Sequence, residues 1–155
     1  MSDVELRTAH LFTIWLEVDA IKDLGATPYG NRRIAAVKGG RFEGEELHGT
    51  VEPAPAGDWL LQRRDGVLML DVRLTLRTQD DALIYMTYRG MRHGPQWVMD
   101  RLNKGEKVDP SEYYFRTAPM FETASEKYSF LNRIMSIGVG RREAAGPIYD
   151  IFQVL

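Results

Sequence analysis

The sequence predicts a mainly β protein, a single-domain antiparallel β-barrel with one short helix. Three observations support this: a hairpin with strict alternation, strand-like segments at close spacing between turn residues, and glycines inside those segments. Regularly spaced short strands are typical of a sandwich or barrel, and glycine within a strand marks a bulge or a barrel corner. A chain of 155 residues can bury one core, so a single domain over residues 1–155 is expected.

The clearest element is a predicted hairpin from Asp65 to Tyr88. In its first strand every second residue is apolar, while Asp71, Arg73, Thr75 and Arg77 share the other parity. Alternation alone does not say which face is inside. Two interpretations follow: either the charged face lines a polar interior site, or the apolar face forms the core and the hairpin is scaffold.

The other elements follow in chain order. Leu6 to Val18 predicts one long strand, and residues 21–30 predict a turn region around glycine and proline. A short helix is predicted from Pro95 to Asn103, because it follows Gly94-Pro95 and stops at Lys104-Gly105. The remaining predicted strands lie near residues 32–37, 41–51, 58–63, 113–123, 130–140 and 148–155.

Composition excludes several functional classes. The chain has no cysteine, which removes disulfides, thiolate nucleophiles and cysteine metal sites. Lys and Arg number 20 against 22 Asp and Glu, so no general positive field attracts nucleic acid. No apolar run is long enough to span a bilayer, so no membrane partner is expected. The first residues show no secretory leader, which predicts a cytoplasmic location.

A series of short stretches in fixed order covers nearly the whole chain. They are Gly39 to Gly44, Gly57-Asp58-Trp59, Asp65-Gly66, Leu70 to Arg73, Ile84-Tyr85, Tyr113 to Arg116 and Tyr128 to Asn132. In these stretches the chain resembles the small bacterial and fungal barrel proteins known as the domain of unknown function 3237 family. The resemblance implies a calycin-like antiparallel barrel, similar to lipocalins, that forms an oligomer. It implies no general activity and no catalytic residues.

Candidate site residues therefore come from residue chemistry alone. Asp71 is the candidate base, with Tyr85 or Tyr128 as proton donor. The candidate ligand-binding residues are polar or aromatic and lie in strand-like segments: Asp58, Trp59, Arg73, Tyr114, Arg116 and Asn132. For Arg116 a structural salt bridge is equally compatible with the sequence, and Tyr128 and Asn132 fit hydrogen bonds to buried backbone. Only one arginine of the Arg32-Arg33 pair can point inward.

No motif indicates a metal or a cofactor. His10, His48 and His93 lack the spacing of a metal site, and His93 is a weaker candidate for a general base. Gly138-Val139-Gly140 lacks the third glycine of a dinucleotide loop, and no serine lies in a nucleophile-elbow sequence. No cofactor is expected.

The leading hypothesis is a barrel that binds a small, partly apolar carboxylate or aromatic compound and acts on it by cofactor-independent acid–base catalysis, as an isomerase, cyclase or hydratase. The second is a ligand-binding or carrier protein without turnover. The third is an oligomeric barrel filled by its own side chains. Edge strands and the aromatic residues Trp15, Trp97 and Tyr149, expected to be exposed, predict a homo-oligomer under each hypothesis.

Overall fold

The computed structural model describes residues 2–155, which form one sheet of nine antiparallel strands and one α-helix. The strands are β1 (Thr8–Thr27), β2 (Gly30–Glu43), β3 (His48–Val51), β4 (Gly57–Gln62), β5 (Leu68–Thr78), β6 (Leu83–His93), β7 (Tyr114–Glu122), β8 (Ser136–Arg142) and β9 (Pro147–Val154). Helix α1 spans Gln96–Asn103, as the sequence predicts. Within residues 2–155, no helix is long and apolar enough to cross a membrane.

The sheet closes on itself and forms a barrel. Strand β1 pairs with β9 on one side and with β2 on the other, and the order continues from β9 through β8, β7 and β6 to β5. The short strands β3 and β4 share one position in the wall, because both pair with β2 and with β5. The predicted barrel and its single short helix are thus confirmed.

Strands β5 and β6 form the predicted hairpin, paired from Leu68↔Arg92 to Arg77↔Leu83. The apolar row of β5 faces inward and is buried: Leu68, Leu70, Val72, Leu74 and Leu76. Five apolar side chains on one parity are removed from water only in this orientation. Asp71 and Arg73 therefore lie on the outer wall, and the apolar face of the hairpin forms the core.

Three details differ from the sequence prediction. Strand β1 continues through the predicted turn region to Thr27, because β2 pairs with it along that length and the chain reverses only at Pro28-Tyr29. The segment 129–133 is a 3₁₀ helix, and the following strand begins at Ser136. Tyr149, expected on the surface, is buried because it shares the inward parity of Ile151.

The hairpin of β1 and β2 extends beyond the rest of the wall. Pairing of β1 with β9 ends at Trp15↔Ile148, whereas pairing with β2 continues to Thr27↔Gly30. A bulge at Lys38, next to Gly39, shifts the register, and both Gly39 and Gly40 have positive φ. A Cβ at Gly40 would overlap the Trp15 carbonyl oxygen, so only glycine allows this close approach.

The two ends of the barrel are filled differently. At one end Phe12 packs against Phe42 and Phe121, with ring centroids 5.3 and 5.9 Å apart. At the other end helix α1 covers the opening and buries Val98 and Leu102. Beneath this helix the barrel interior is not filled.

Candidate functional site

A cavity of about 240 Å³ occupies the barrel end beneath helix α1. Its walls are largely apolar and include Leu60, Leu68, Leu70, Val72, Leu102 and Phe115. Besides Asn103 of helix α1, six polar or charged side chains from five strands line this apolar space: Arg33, Asp58, Tyr88, Arg92, Arg142 and Tyr149. A mostly apolar chamber with a few convergent polar groups is typical of a small-molecule site.

Asp58 lies on β4 directly opposite Ala35 of β2 and Val72 of β5, and both partners are buried. It therefore points inward, whereas the next residue, Trp59, points outward. Its Oδ1 accepts a hydrogen bond of 3.1 Å from the backbone N–H of Asp71. The pKa of Asp58 is raised to about 6, mainly because the carboxyl group is buried. The hydrogen bond from the Asp71 N–H and the charge of Arg92 lower this pKa, and the charge of Asp71 raises it.

Three arginines line the same cavity: Arg33 from β2, Arg92 from β6 and Arg142 from β8. The Nε atoms of Arg33 and Arg92 are buried and have no hydrogen-bond partner within residues 2–155. Burial lowers the pKa of Arg92, and the charge of Arg142 lowers it further. A buried N–H donor without a partner is costly, and an anion between the two arginines would satisfy these donors.

Two tyrosines complete the polar set. Tyr88 and Tyr149 are buried, and their rings meet edge to face with centroids 5.2 Å apart. Burial raises the pKa of both hydroxyls, and the nearby charge of Asp58 raises both further. Both phenols therefore stay protonated at neutral pH. Because the two hydroxyls interact with each other, one O–H of the pair is free to donate a hydrogen bond close to a carboxyl group.

The strand parity explains why these residues converge. On β6 the buried residues Ile84, Met86 and Tyr88 share their parity with Arg92. The inward row of β6 is thus apolar at the packed end and polar at the cavity end. On β9, Tyr149 shares the inward parity of Ile151 in the same way. In the sequence, these polar residues continue an alternating series of apolar residues. This pattern is the signal that could have identified them.

Of the nine predicted site residues, Asp58 lines the cavity and the others do not. Asp71 reaches the site only through its backbone N–H and its charge. Arg73 lies over the Trp59 ring, 5.8 Å from its centroid, on the outer wall. Tyr85 is exposed on the outer face of β6.

The other four residues have local structural contacts. Tyr114 stacks on His93 with ring centroids 4.9 Å apart, and the Arg116 guanidinium carbon lies 5.2 Å from the Tyr114 ring centroid, all on the outer wall. The buried Tyr128 donates a hydrogen bond of 2.8 Å to Asp80. Asn132 accepts from the Thr123 N–H and donates to the Thr123 carbonyl, at 2.8 and 2.9 Å.

The cavity suits an organic anion better than a cation. Within the part of the chain that the structure describes, no three His, Asp or Glu side chains stand close enough to bind a metal ion together. Three arginines against one carboxyl group give the chamber a positive balance. Its residues can therefore hold an anionic group, donate a hydrogen bond from a phenol and exchange a proton at Asp58.

The model of a family described as "Protein of unknown function (DUF3237)" matches residues 6–154. The chain belongs to this family. The resemblance seen in the sequence is thereby confirmed over nearly its full length. The curated relatives of this chain include proteins designated UPF0311. The UPF0311 protein of Rhodopseudomonas palustris is 35% identical to this chain over 150 residues, which cover 97% of each chain.

Solved structures similar to this DUF3237 chain share its barrel. The crystal structure of the Rhodopseudomonas palustris protein has a TM-score of 0.94 at 34% identity and covers 98% of this chain and 99% of the other. A β-barrel-like protein of Acinetobacter baumannii has a TM-score of 0.85 at 34% identity and covers 99% of both chains. A protein of Penicillium herquei described as an enzyme has a TM-score of 0.75 at 19% identity, with 100% of this chain and 98% of the other covered, and shows likeness of fold alone.

Proposed function

We propose that this DUF3237 protein binds a small organic anion with an apolar or aromatic body in the barrel cavity, and that Asp58 transfers a proton on the bound molecule. The observation that carries the proposal is the convergence of one carboxyl group, two protonated phenols and three arginines in one apolar chamber. A carboxyl group whose pKa is about 6 is suited to general acid–base catalysis near neutral pH.

Each group has a chemical role in this proposal. Arg33, Arg92 and Arg142 hold the anionic group, and the leucine-lined wall holds the apolar body. At pH 7 Asp58 is mostly ionised and accepts a proton from a carbon next to a carbonyl group. The electron pair moves to the carbonyl oxygen, which receives a hydrogen bond from Tyr88 or Tyr149. Return of the proton to a different position yields an isomer, and no electron acceptor is required.

The alternatives differ in what they do with the same chamber. A cavity of about 240 Å³ has room for several waters, at about 30 Å³ each, and therefore speaks against a barrel filled by its own side chains. A carrier without turnover would use the arginines in the same way. A carrier would not need a raised pKa at Asp58. The raised pKa therefore favours the catalytic alternative.

Phenylpyruvate is a suitable probe, because it combines a carboxylate, an aromatic body and an acidic C–H beside a carbonyl group. We expect binding by calorimetry, and exchange of its C3 protons in D₂O, followed by NMR, faster than in buffer alone. Asp58→Asn should retain binding and lose the exchange, because the amide cannot accept the proton. Arg92→Met should lose binding, because the anion loses a guanidinium partner.

The matched control lies on the outer wall. Arg89→Met removes one exposed arginine from the same strand as Arg92 without entering the cavity. Equal loss of binding in Arg92→Met and Arg89→Met would refute the cavity as the binding site. Binding with exchange no faster than in buffer would refute proton transfer and favour the carrier.

A further inference from the structure

The cavity opens into a second, larger space. A groove of about 610 Å³ runs between the β4–β5 turn, residues 63–67, and helix α1. Arg33 and Arg92 line both the cavity and the groove, and so do Leu68 and Asn103. The two arginines therefore form a neck between an apolar inner chamber and an outer groove.

The groove is polar and carries a positive balance. Its ionisable lining residues are Arg33, Arg63, Arg64, Asp65, Arg92 and His93. The only carboxylate among them, Asp65, is paired with Arg63. Arg64 is exposed, and in residues 2–155 its side chain makes no hydrogen bond or salt bridge. The neck arginines and Arg64 are thus free to contact anionic groups of a bound molecule.

We propose that the ligand is longer than the cavity and carries at least two anionic groups in line, a phosphate or a carboxylate at the Arg33 and Arg92 neck and a second one in the groove beside Arg64. The inference rests on the proposed function, because the apolar body must occupy the inner chamber for the first anion to reach the neck. Guanidinium groups bind phosphate and carboxylate oxygens through paired N–H donors, which gives both positions the same chemical preference.

A matched pair of probes isolates the second anionic group. The two probes are 3-phenylpropyl phosphate and 3-phenylpropyl diphosphate, which have the same apolar body and differ by one phosphate. We expect the diphosphate to bind the full-length protein at least about tenfold more tightly, the effect of one added charge-assisted contact. Arg64→Glu should abolish this gain and leave the monophosphate affinity within about twofold.

The control variant reverses the charge of an exposed arginine outside the groove. Arg89→Glu changes the net charge by the same amount on the outer wall of β6, where Arg89 is exposed. It should retain the gain from the second phosphate. Equal affinity of the two probes for the wild-type protein would overturn the inference, and so would a gain that Arg64→Glu and Arg89→Glu reduce equally.

Failure of the inference can be told from failure of the proposed function. If phenylpyruvate binds and neither phosphate does, the second anion site is refuted and the cavity proposal stands. If none of the three probes binds, both are refuted. Circular dichroism of the variants confirms that the exposed substitutions leave the barrel folded.

Discussion

The two ends of the barrel are built from the same strands but contain different chemistry. On β5, Leu74 and Leu76 face the packed end, where Phe12, Phe42 and Phe121 fill the interior. Leu68 and Leu70, on the same parity, face a cavity that also contains Asp58 and three arginines. One end buries apolar surface and stabilises the fold. The other end holds charged groups away from water, which costs stability.

The difference suggests a division of roles along each strand. Strand β6 shows it most clearly: Ile84 and Met86 lie in the packed end, and Tyr88 and Arg92 lie in the cavity end. Substitutions at the packed end should therefore lower stability alone. Substitutions at the cavity end should change binding, and some of them should raise stability.

The largest effect is expected for truncation in the packed end. Leu74→Ala should lower the free energy of unfolding by about 3–5 kcal/mol, because a tightly packed site cannot collapse onto the lost volume. Leu70→Ala, on the same strand and parity, should cost only about 2 kcal/mol, because its neighbours already border a void. Urea unfolding of both variants measures the difference, and equal losses would contradict the contrast between the two ends.

Asp58→Asn should stabilise the protein, with an effect that depends on pH. The folded-state pKa of Asp58 is raised from 3.8 to about 6, so the folded state binds a proton more tightly than the unfolded chain. Wild-type stability therefore falls as the pH rises through this interval and is lowered throughout the range above it. The amide variant lacks this loss and should be more stable by about 3 kcal/mol at pH 8.

The same pair of proteins provides its own control at low pH. At pH 4 the Asp58 carboxyl is largely protonated in the folded state, so the two proteins should differ little in urea unfolding. A stability difference that is equal at pH 4 and pH 8 would show that burial of the charge is not its cause.

Arg92→Met should raise stability by about 1–2 kcal/mol while it removes anion binding. The Nε atom of the Arg92 guanidinium is buried and has no partner within residues 2–155. The substitution puts an apolar side chain of similar length in its place. It also relieves repulsion from Arg33 and Arg142, both of which lower the pKa of Arg92. Thermal and urea unfolding measure the change. A variant that is less stable than the wild type would place Arg92 among the structural residues.

The smallest effect is expected for Tyr128→Phe. Its hydroxyl donates to Asp80, which also accepts hydrogen bonds from Thr78 and Lys127, far from the cavity lining. Asp80 is partly exposed and keeps its other two donors, so the loss of this hydrogen bond should cost only about 0.5–1 kcal/mol. Phenylpyruvate binding and exchange should stay unchanged. Loss of exchange at intact stability would restore the catalytic role that the sequence first suggested for Tyr128.

Much of the fold is predictable because it depends on local patterns. The alternation of β5, the turn at Asp80-Asp81 and the helix after Gly94-Pro95 each follow from neighbouring residues. The extent of β1 does not, because its last residues are extended only through pairing with β2. Glycine and proline near residues 21–30 predicted a turn there, and strand pairing overrode that local preference.

The site is less predictable because it exists only after closure. Arg33, Arg92 and Arg142 are far apart in the chain and form no motif. Asp71 and Arg73 were conspicuous because they alternate with leucines, yet that same alternation places them outside. Asp58 was identified from its polar character beside Trp59, and its inward orientation follows from pairing with both β2 and β5. The homo-oligomer stays a prediction.

The extended hairpin of β1 and β2 has a consequence for entry into the cavity. Val18, Ile21 and Arg33 belong to this hairpin and line the chamber, yet pairing of β1 with β9 ends at Trp15. Beyond the hydrogen bond from the Val18 N–H to the Ala145 carbonyl oxygen, this part of the wall is therefore held by strand pairing along one edge only, where β2 meets β4. We expect the hairpin to separate from the rest of the barrel in local opening events, so that its amide hydrogens exchange with solvent well before those of β5 and a ligand enters along this seam.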